Sequence, residues 1–204
     1  KNSQYIVMLL AFYFIRTDVQ SQFGFTITKV RVINMIPNAQ SNETGQDSEP
    51  NVAVNPSDVN RIAASAFTLN QTGATNAAPI FISTDKGNTW ALNNIVPSAN
   101  GATGDISLKF ATQGNELYTG ILRGGGNLRM NILRSGDPFG AAMMELLVDR
   151  QGVGGVDQPY VNTLTSVVSG VQRDRVFVGN NDLSNSLGNG GTGRTATVDH
   201  SADA

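Results

Sequence analysis

The stretch that decides the fold is IFISTDKGNTWALNN, Ile80 to Asn94. An apolar, β-branched run ends at Ser83, a polar turn carries Asp85 and Gly87, and the chain's only tryptophan, Trp90, follows at once. The order reads as strand, tight turn, strand. Asp85 can accept hydrogen bonds from backbone N–H groups further along, pinning the hairpin. Gly87 can take a positive φ at little cost. Trp90, opening the next strand, can fold back and bury a large area. On this reading the turn is a staple, and Asp85 is structural rather than catalytic.

Working outward, the pattern recurs. Upstream, Asn51–Val54 and Arg61–Phe67 read as strands joined by Asn-Pro-Ser-Asp turn chemistry, followed by strands at APIFIS and TWALNNIV. A second pass runs through DISLKF, a turn at Gln113-Gly114-Asn115, ELYTGIL and LRMNILRS; GILRGGGNLR within it reads as a wide hairpin and lacks the Lys-Ser/Thr of a phosphate loop. A third takes DQPYVNTL, DRVFVGNNDL and RTATVDHSADA. Ser-x-Asp turns begin at 83, 135 and 201, each after strand-like runs. Repeats of roughly 40 to 50 residues, each worth about four strands, predict an all-β propeller of antiparallel blades. The expected units are 48–103, 104–155 and 156–204, about three blades of a ring of about six or seven, so that the chain reads as an incomplete, amino-terminal portion.

Composition agrees with short strands and many turns: 204 residues include 22 glycines, and no amphipathic helical pattern longer than about three turns stands out. A formal net charge of -2 points away from nucleic-acid partners. The absence of cysteine excludes disulfides, thiolate metal sites and a Cys nucleophile. With His200 as the only histidine, a cluster of histidine ligands cannot form within the chain.

The start of the chain reads as an export signal. Lys1 precedes the apolar run Tyr5–Ile15, which is shorter than the roughly 20 residues of a membrane span, and Val19 and Ser21 suit a cut before Gln22. Residues 1–21 are therefore expected to be a signal peptide, giving a secreted, periplasmic or cell-surface protein without a stable membrane span. Residues 22–47 are expected to hold a leader strand at Phe25–Ile33 and a polar linker.

STDKGNTW resembles the Asp-box, Ser-x-Asp-x-Gly-x-Thr-Trp, of bacterial-type sialidases and related propellers, with Ser83, Asp85, Gly87, Thr89 and Trp90 each in place. The later turns keep Ser135 and Asp137, then Ser201 and Asp203. The resemblance, from about Ser48 to Ala204, implies a bacterial, exported, sialidase-like propeller whose ligands are carbohydrates or glycoconjugates. It implies either a glycoside hydrolase of the exo-sialidase kind or a non-catalytic propeller binding glycan or protein at the cell surface. Sialidases grip a substrate carboxylate with arginines, the first in an Arg-Ile-Pro motif. Here Met35 stands where that arginine would be, before Ile36 and Pro37.

In a propeller the ligand site lies at one end of the axis, fed by the innermost strands. The residues opening those strands are Glu49, Asp105 and Asp157, and three carboxylates there can orient sugar hydroxyls, hold a cation or supply an acid/base group; capping of strand ends is the plainer alternative. Arg61 and Arg123 are the candidate substrate-binding cations, alternatively exposed or ion-paired. Asn180, Asn181 and Asp182 carry oxygens suited to Ca2+, but without a fixed ligand spacing they read as a flexible loop; no other cofactor is expected.

Overall fold

A computed structural model describes residues 30–35, 48–67, 80–97, 103–124, 128–151, 155–183 and 195–201. The chain divides into two units, 1–32 and 33–204, and every described strand belongs to the second. The proposed signal peptide and most of the linker lie outside the described residues. Residues 30–34 form no strand, in contrast to the strand expected through Ile33, and Val30 and Val32 are exposed. Alternation alone does not make a strand where no neighbouring strand supplies hydrogen bonds.

The described residues are all-β, in three antiparallel sheets. The first orders β1 (Ser48–Val54), β2 (Ile62–Phe67), β3 (Ile80–Ser83) and β4 (Ala91–Asn93) as a meander. The second does the same with β5 (Thr103–Phe110), β6 (Leu117–Arg123), β7 (Arg129–Ser135) and β8 (Glu145–Gln151). The third holds β9 (Val156–Val168), β10 (Val171–Asp182) and β11 (Thr195–His200). Asn180, Asn181 and Asp182, expected in a loop, close β10 instead.

The sheets repeat residue for residue. Val54 pairs with Ile62, Phe110 with Leu117 and Thr163 with Val176; Ile62 and Leu117 in turn pair with Ser83 and Ser135, while Val176 is bonded in both directions to Ser201. Ser83, Ser135 and Ser201, which open the three Ser-x-Asp turns, thus stand at one position of a repeated meander. Asp203 lies outside the described residues. The register gives a second set of equivalents, Val52, Leu108 and Val161, and a third, Glu49, Asp105 and Gln158.

Adjacent sheets meet through their first strands. Leu108 N donates to Asn51 Oδ1 at 3.0 Å, and Val161 N donates to Ser107 Oγ at 2.9 Å. Asn51 and Ser107 are equivalent residues, so the same joint is made twice. One core fills the first junction, with Ala53, Ala63 and Ile80 against Leu108, Phe110, Leu117 and Ile121. Another fills the second, with Tyr118, Leu122 and Ile132 against Val156, Val176 and Val178. Leu117 and Tyr118 face opposite cores because side chains alternate along a strand. At Gly120 the second and third sheets come close together: a Cβ there would lie 3.0 Å from both Pro159 Cβ and Val161 Cγ2.

Candidate functional site

The Ser83–Trp90 turn is held by its own side chains. Asp85 Oδ1 accepts from Thr89 N and from Ser83 Oγ, both at 2.8 Å, and Oδ2 accepts from Thr89 Oγ1 at 2.7 Å. Ser83 Oγ in turn accepts from Gly87 N at 2.9 Å. The Thr89 backbone and hydroxyl hydrogen bonds hold the Asp85 carboxyl down at about 2. Lys86 and Gly87 carry φ of 64° and 80°, and Trp90 lies over Gly87, donating from Nε1 to its carbonyl at 3.1 Å. Trp90 and Leu92 pack on Phe81 and Ala66. Every polar atom of Asp85 is thus committed to the turn. At the second turn, Asp137 Oδ1 accepts from Phe139 N at 3.3 Å, and Phe139 stacks on Phe110 with ring centres 6.3 Å apart.

The predicted carboxylates gather elsewhere. Each first strand has a β-bulge near its start, where the register slips at Ser48/Asn51 on β1, at Thr103/Ile106 on β5 and, on β9, between Asp157 and Tyr160 opposite Asn181 and Gly179. The bulges contain Glu49, Asp105 and Gln158, and Glu49 and Gln158 both sit at positive φ, 54° and 52°. Such a backbone is uncommon outside glycine and re-aims a side chain. These three residues, with Pro50, Asn51, Ile106, Ser107, Pro159 and Tyr160, line a cavity of about 300 Å³. Asp157 falls one position before Gln158, which occupies the place equivalent to Glu49. Its carboxyl accepts from Gln158 N at 3.0 Å and acts on the cavity through its charge.

Within the cavity the carboxyl of Asp105 is pushed up to about 6, first by burial, then by the charges of Glu49 and Asp157, and by a hydrogen bond with Glu49. Asn51 Oδ1, Ser107 Oγ and Gln158 Oε1 already accept hydrogen bonds, the last from Asn181 Nδ2 at 3.0 Å. The cavity therefore offers a carboxyl pair, amide donors and an exposed Tyr160 ring. Among the described residues no three His, Cys, Asp or Glu side chains are placed to hold a metal ion.

Neither candidate arginine lines the cavity. Arg61 is ion-paired with Asp58 at 3.6 Å and lies over the Phe139 ring, 5.0 Å from its centre. Arg123, expected on an exposed or ion-paired site, is fully buried and donates to Asn131 Oδ1 at 3.0 Å and to the Pro97 carbonyl at 2.7 Å. Nor do Asn180 and Asp182 form a cation loop: Asn180 and Asp182 accept from Arg150 at 2.8 and 2.6 Å.

A larger cavity, about 570 Å³, lies between the second and third sheets; the Asp-box residue Ser201 lines it, and the candidate catalytic and substrate-binding residues do not. Several of its polar groups pair with one another: Tyr118 Oη donates to Asp174 at 2.8 Å, Arg150 binds Asp182 and Asp199, and Arg134 faces Glu116 at 3.9 Å, its Nε left without a partner among the described residues. Burial and that hydrogen bond push the Tyr118 hydroxyl above its usual range. This network joins two sheets, and the carboxylates predicted for a ligand site gather in the smaller cavity.

No helix among the described residues is long and apolar enough to cross a membrane. Compared with family models, with curated proteins and with solved structures, the chain matches none.

Proposed function

We propose that this chain is an exported, sialidase-like propeller portion that binds carbohydrate, non-catalytically, at the cavity where its first strands converge. The propeller reading is supported by the residue-for-residue repeat of the meander and by the stapled Ser-x-Asp turns. The observation that carries the binding reading is the Glu49–Asp105 carboxyl pair in a concave site beside the exposed Tyr160. Carboxyls and amides suit the hydroxyls of a neutral sugar, and an aromatic rim suits its apolar face. A sugar carboxylate would meet Glu49, Asp105 and Asp157, with no arginine among the lining residues to receive it.

A hydrolase reading has one observation in its favour, since a carboxyl near 6 suits a general acid. Yet Glu49 and Asp105 sit side by side in one small cavity, close enough for Glu49 to raise the Asp105 carboxyl, whereas the two carboxyls of a glycosidase stand apart to flank the scissile bond. That arrangement suits a receptor better than a hydrolase.

The test is a glycan array probed with the full chain, together with Glu49→Ala and Asp105→Ala. Neutral glycans retained by the parent and lost by both variants, with unchanged circular dichroism, are the expected result. No retained glycan, or equal retention by the variants, would remove the site from consideration. Glycan turnover by the parent would replace the receptor reading by the hydrolase.

A further inference from the structure

The turn after β7 shows what fills the outer part of a junction between two sheets of this repeat. Leaving Ser135, the chain runs back between the first and second sheets. Asn93 Nδ2 of β4 donates to the Pro138 carbonyl at 2.7 Å and to the Gly140 carbonyl at 3.0 Å, and Met144 N donates to the Ile95 carbonyl at 2.8 Å. Phe139 stacks on Phe110 and lies under the Arg61 guanidinium, and with Met144 it joins the core of that junction.

The same place at the second junction is the cavity of about 570 Å³. Asn93 pairs with Ile80, three residues before Ser83, and Val148 pairs with Ile132, three residues before Ser135, so Val148 is the equivalent of Asn93. Arg61 precedes Ile62 and Glu116 precedes Leu117, the partners of those two serines; Ile82 and Arg134 stand directly before the serines themselves. Val148, Ile132, Glu116 and Arg134 all line the cavity, and so does Ser201, the third serine of the series. Leu147 and Val148 stay 43% and 44% exposed there.

We infer that residues 202–204, which lie outside the described residues, turn back into this cavity and run along β8 as residues 136–138 run along β4. The occupant is this segment because it leaves Ser201 as residues 136–138 leave Ser135. Three residues bring Ala204 to the place of Pro138, whose carbonyl Asn93 holds. Ser201 is fixed for that exit, since its backbone N donates to the Val176 carbonyl and its Oγ accepts from Val176 N, both at 3.0 Å. Covering Leu147 and Val148 supplies the apolar burial that Phe139 and Met144 supply at the first junction. The cavity is then a joint of the repeat, and the contact is independent of any sugar and of any residue beyond Ala204.

The chain has no cysteine, so an engineered pair reports the contact without competition. Val148→Cys/Ala204→Cys joins the equivalents of Asn93 and Pro138. Val198→Cys/Ala204→Cys is the control, because Val198 stands three residues before Ser201, is exposed and lies outside the cavity. Both full-length variants are oxidised in dilute solution, and intramolecular disulfide is measured by peptide mass; thermal unfolding of the reduced chains establishes that each is folded. The Val148 pair is expected to close several-fold more completely than the control, because a disulfide forms only between neighbouring Cα atoms. A second pair, Leu147→Cys/Asp203→Cys, repeats the test should the first variant not fold, and is expected to close likewise. Equal closure of the Val148 pair and the control would mean a loose tail and overturn the inference. Closure of the control alone, or of neither, would overturn it as well.

Discussion

Asp105, on β5, and Glu49, on β1, bring their carboxyls into one cavity across the boundary between two sheets. Burial of Asp105, then the charges of Glu49 and Asp157, disfavour its ionised form. Folding therefore raises the affinity of Asp105 for a proton, from 3.8 to about 6. A raised carboxyl gives a folded state that binds protons more readily than the unfolded one, so stability from this group falls as pH rises from about 4 to about 6 and is level above that. Because the site is partly open to solvent, screening limits the loss to about 1 kcal/mol. Urea unfolding at pH 4.5 and 7.5 should show this loss in the parent. Asp105→Asn, which stays neutral, should reduce the difference and be the more stable chain at pH 7.5. An undiminished difference in the variant would place the titration elsewhere.

The Ser83–Trp90 turn gives a second prediction, read by its own fluorophore, since Trp90 is the only tryptophan. Trp90 is half-buried, so Trp90→Ala should cost about 2 kcal/mol, below the 3–5 of a fully buried aromatic. Asp85→Ala removes the acceptor for Thr89 N, Thr89 Oγ1 and Ser83 Oγ together. It should red-shift Trp90 emission and lower the urea midpoint while leaving sugar retention intact. The depressed Asp85 carboxyl sets the pH window: its stabilisation is present above about 4 and disappears as pH falls through about 2. Loss of sugar binding by a folded Asp85→Ala chain would contradict the purely structural role.

The sequence revealed most where the forces are local. Ser83, Asp85, Gly87 and Thr89 bond to one another within a few residues, so their spacing carries the turn. Glu49 and Asp105 were legible through the repeat, because equivalent positions of equivalent strands converge; Gln158 was not, because the acidic residue of the third repeat, Asp157, stands one position before it. Distant partners hid the rest. Asn180 and Asp182 look like a polar loop until Arg150, from another sheet, supplies their hydrogen bonds. Glu145–Gln151 gives no strand pattern, since Leu146, Leu147 and Val148 are all partly exposed and β7 alone supplies its ladder. Arg123 carries no mark of burial in its neighbours; Asn131 and the Pro97 carbonyl make burial tolerable.

Gly120 tests the joint between the second and third sheets. An added Cβ would stand 3.0 Å from Pro159 Cβ and Val161 Cγ2, tighter than ordinary van der Waals contact, and both neighbours belong to β9. Gly120→Ala should cost about 1–3 kcal/mol through overpacking, despite the lower backbone entropy of the unfolded variant. Urea midpoints measure it. A neutral or stabilising result would mean that β9 can shift away from β6 without loss.

Arg150 tests the polar side of the same joint. From β8 its guanidinium reaches Asn180 Oδ1 at 2.8 Å, Asp182 Oδ2 at 2.6 Å and Asp199 Oδ2 at 2.5 Å. Asp182 is buried whereas Asp199 is a third exposed, so the two ion pairs differ in weight. Arg150→Met keeps the packing of the stem but leaves the Asp182 charge buried beside fewer donors, which should cost about 3 kcal/mol. Asp199→Ala, losing a more solvated partner, should cost less than about 1 kcal/mol. Asp182→Asn removes the charge that Arg150 neutralises, so the Arg150→Met/Asp182→Asn chain should be more stable than the sum of the two single losses predicts. Urea unfolding of the three single variants and the double variant completes the cycle. Strict additivity, or an Asp199→Ala loss as large as that of Arg150→Met, would show that burial of Asp182 does not set the strength of this contact.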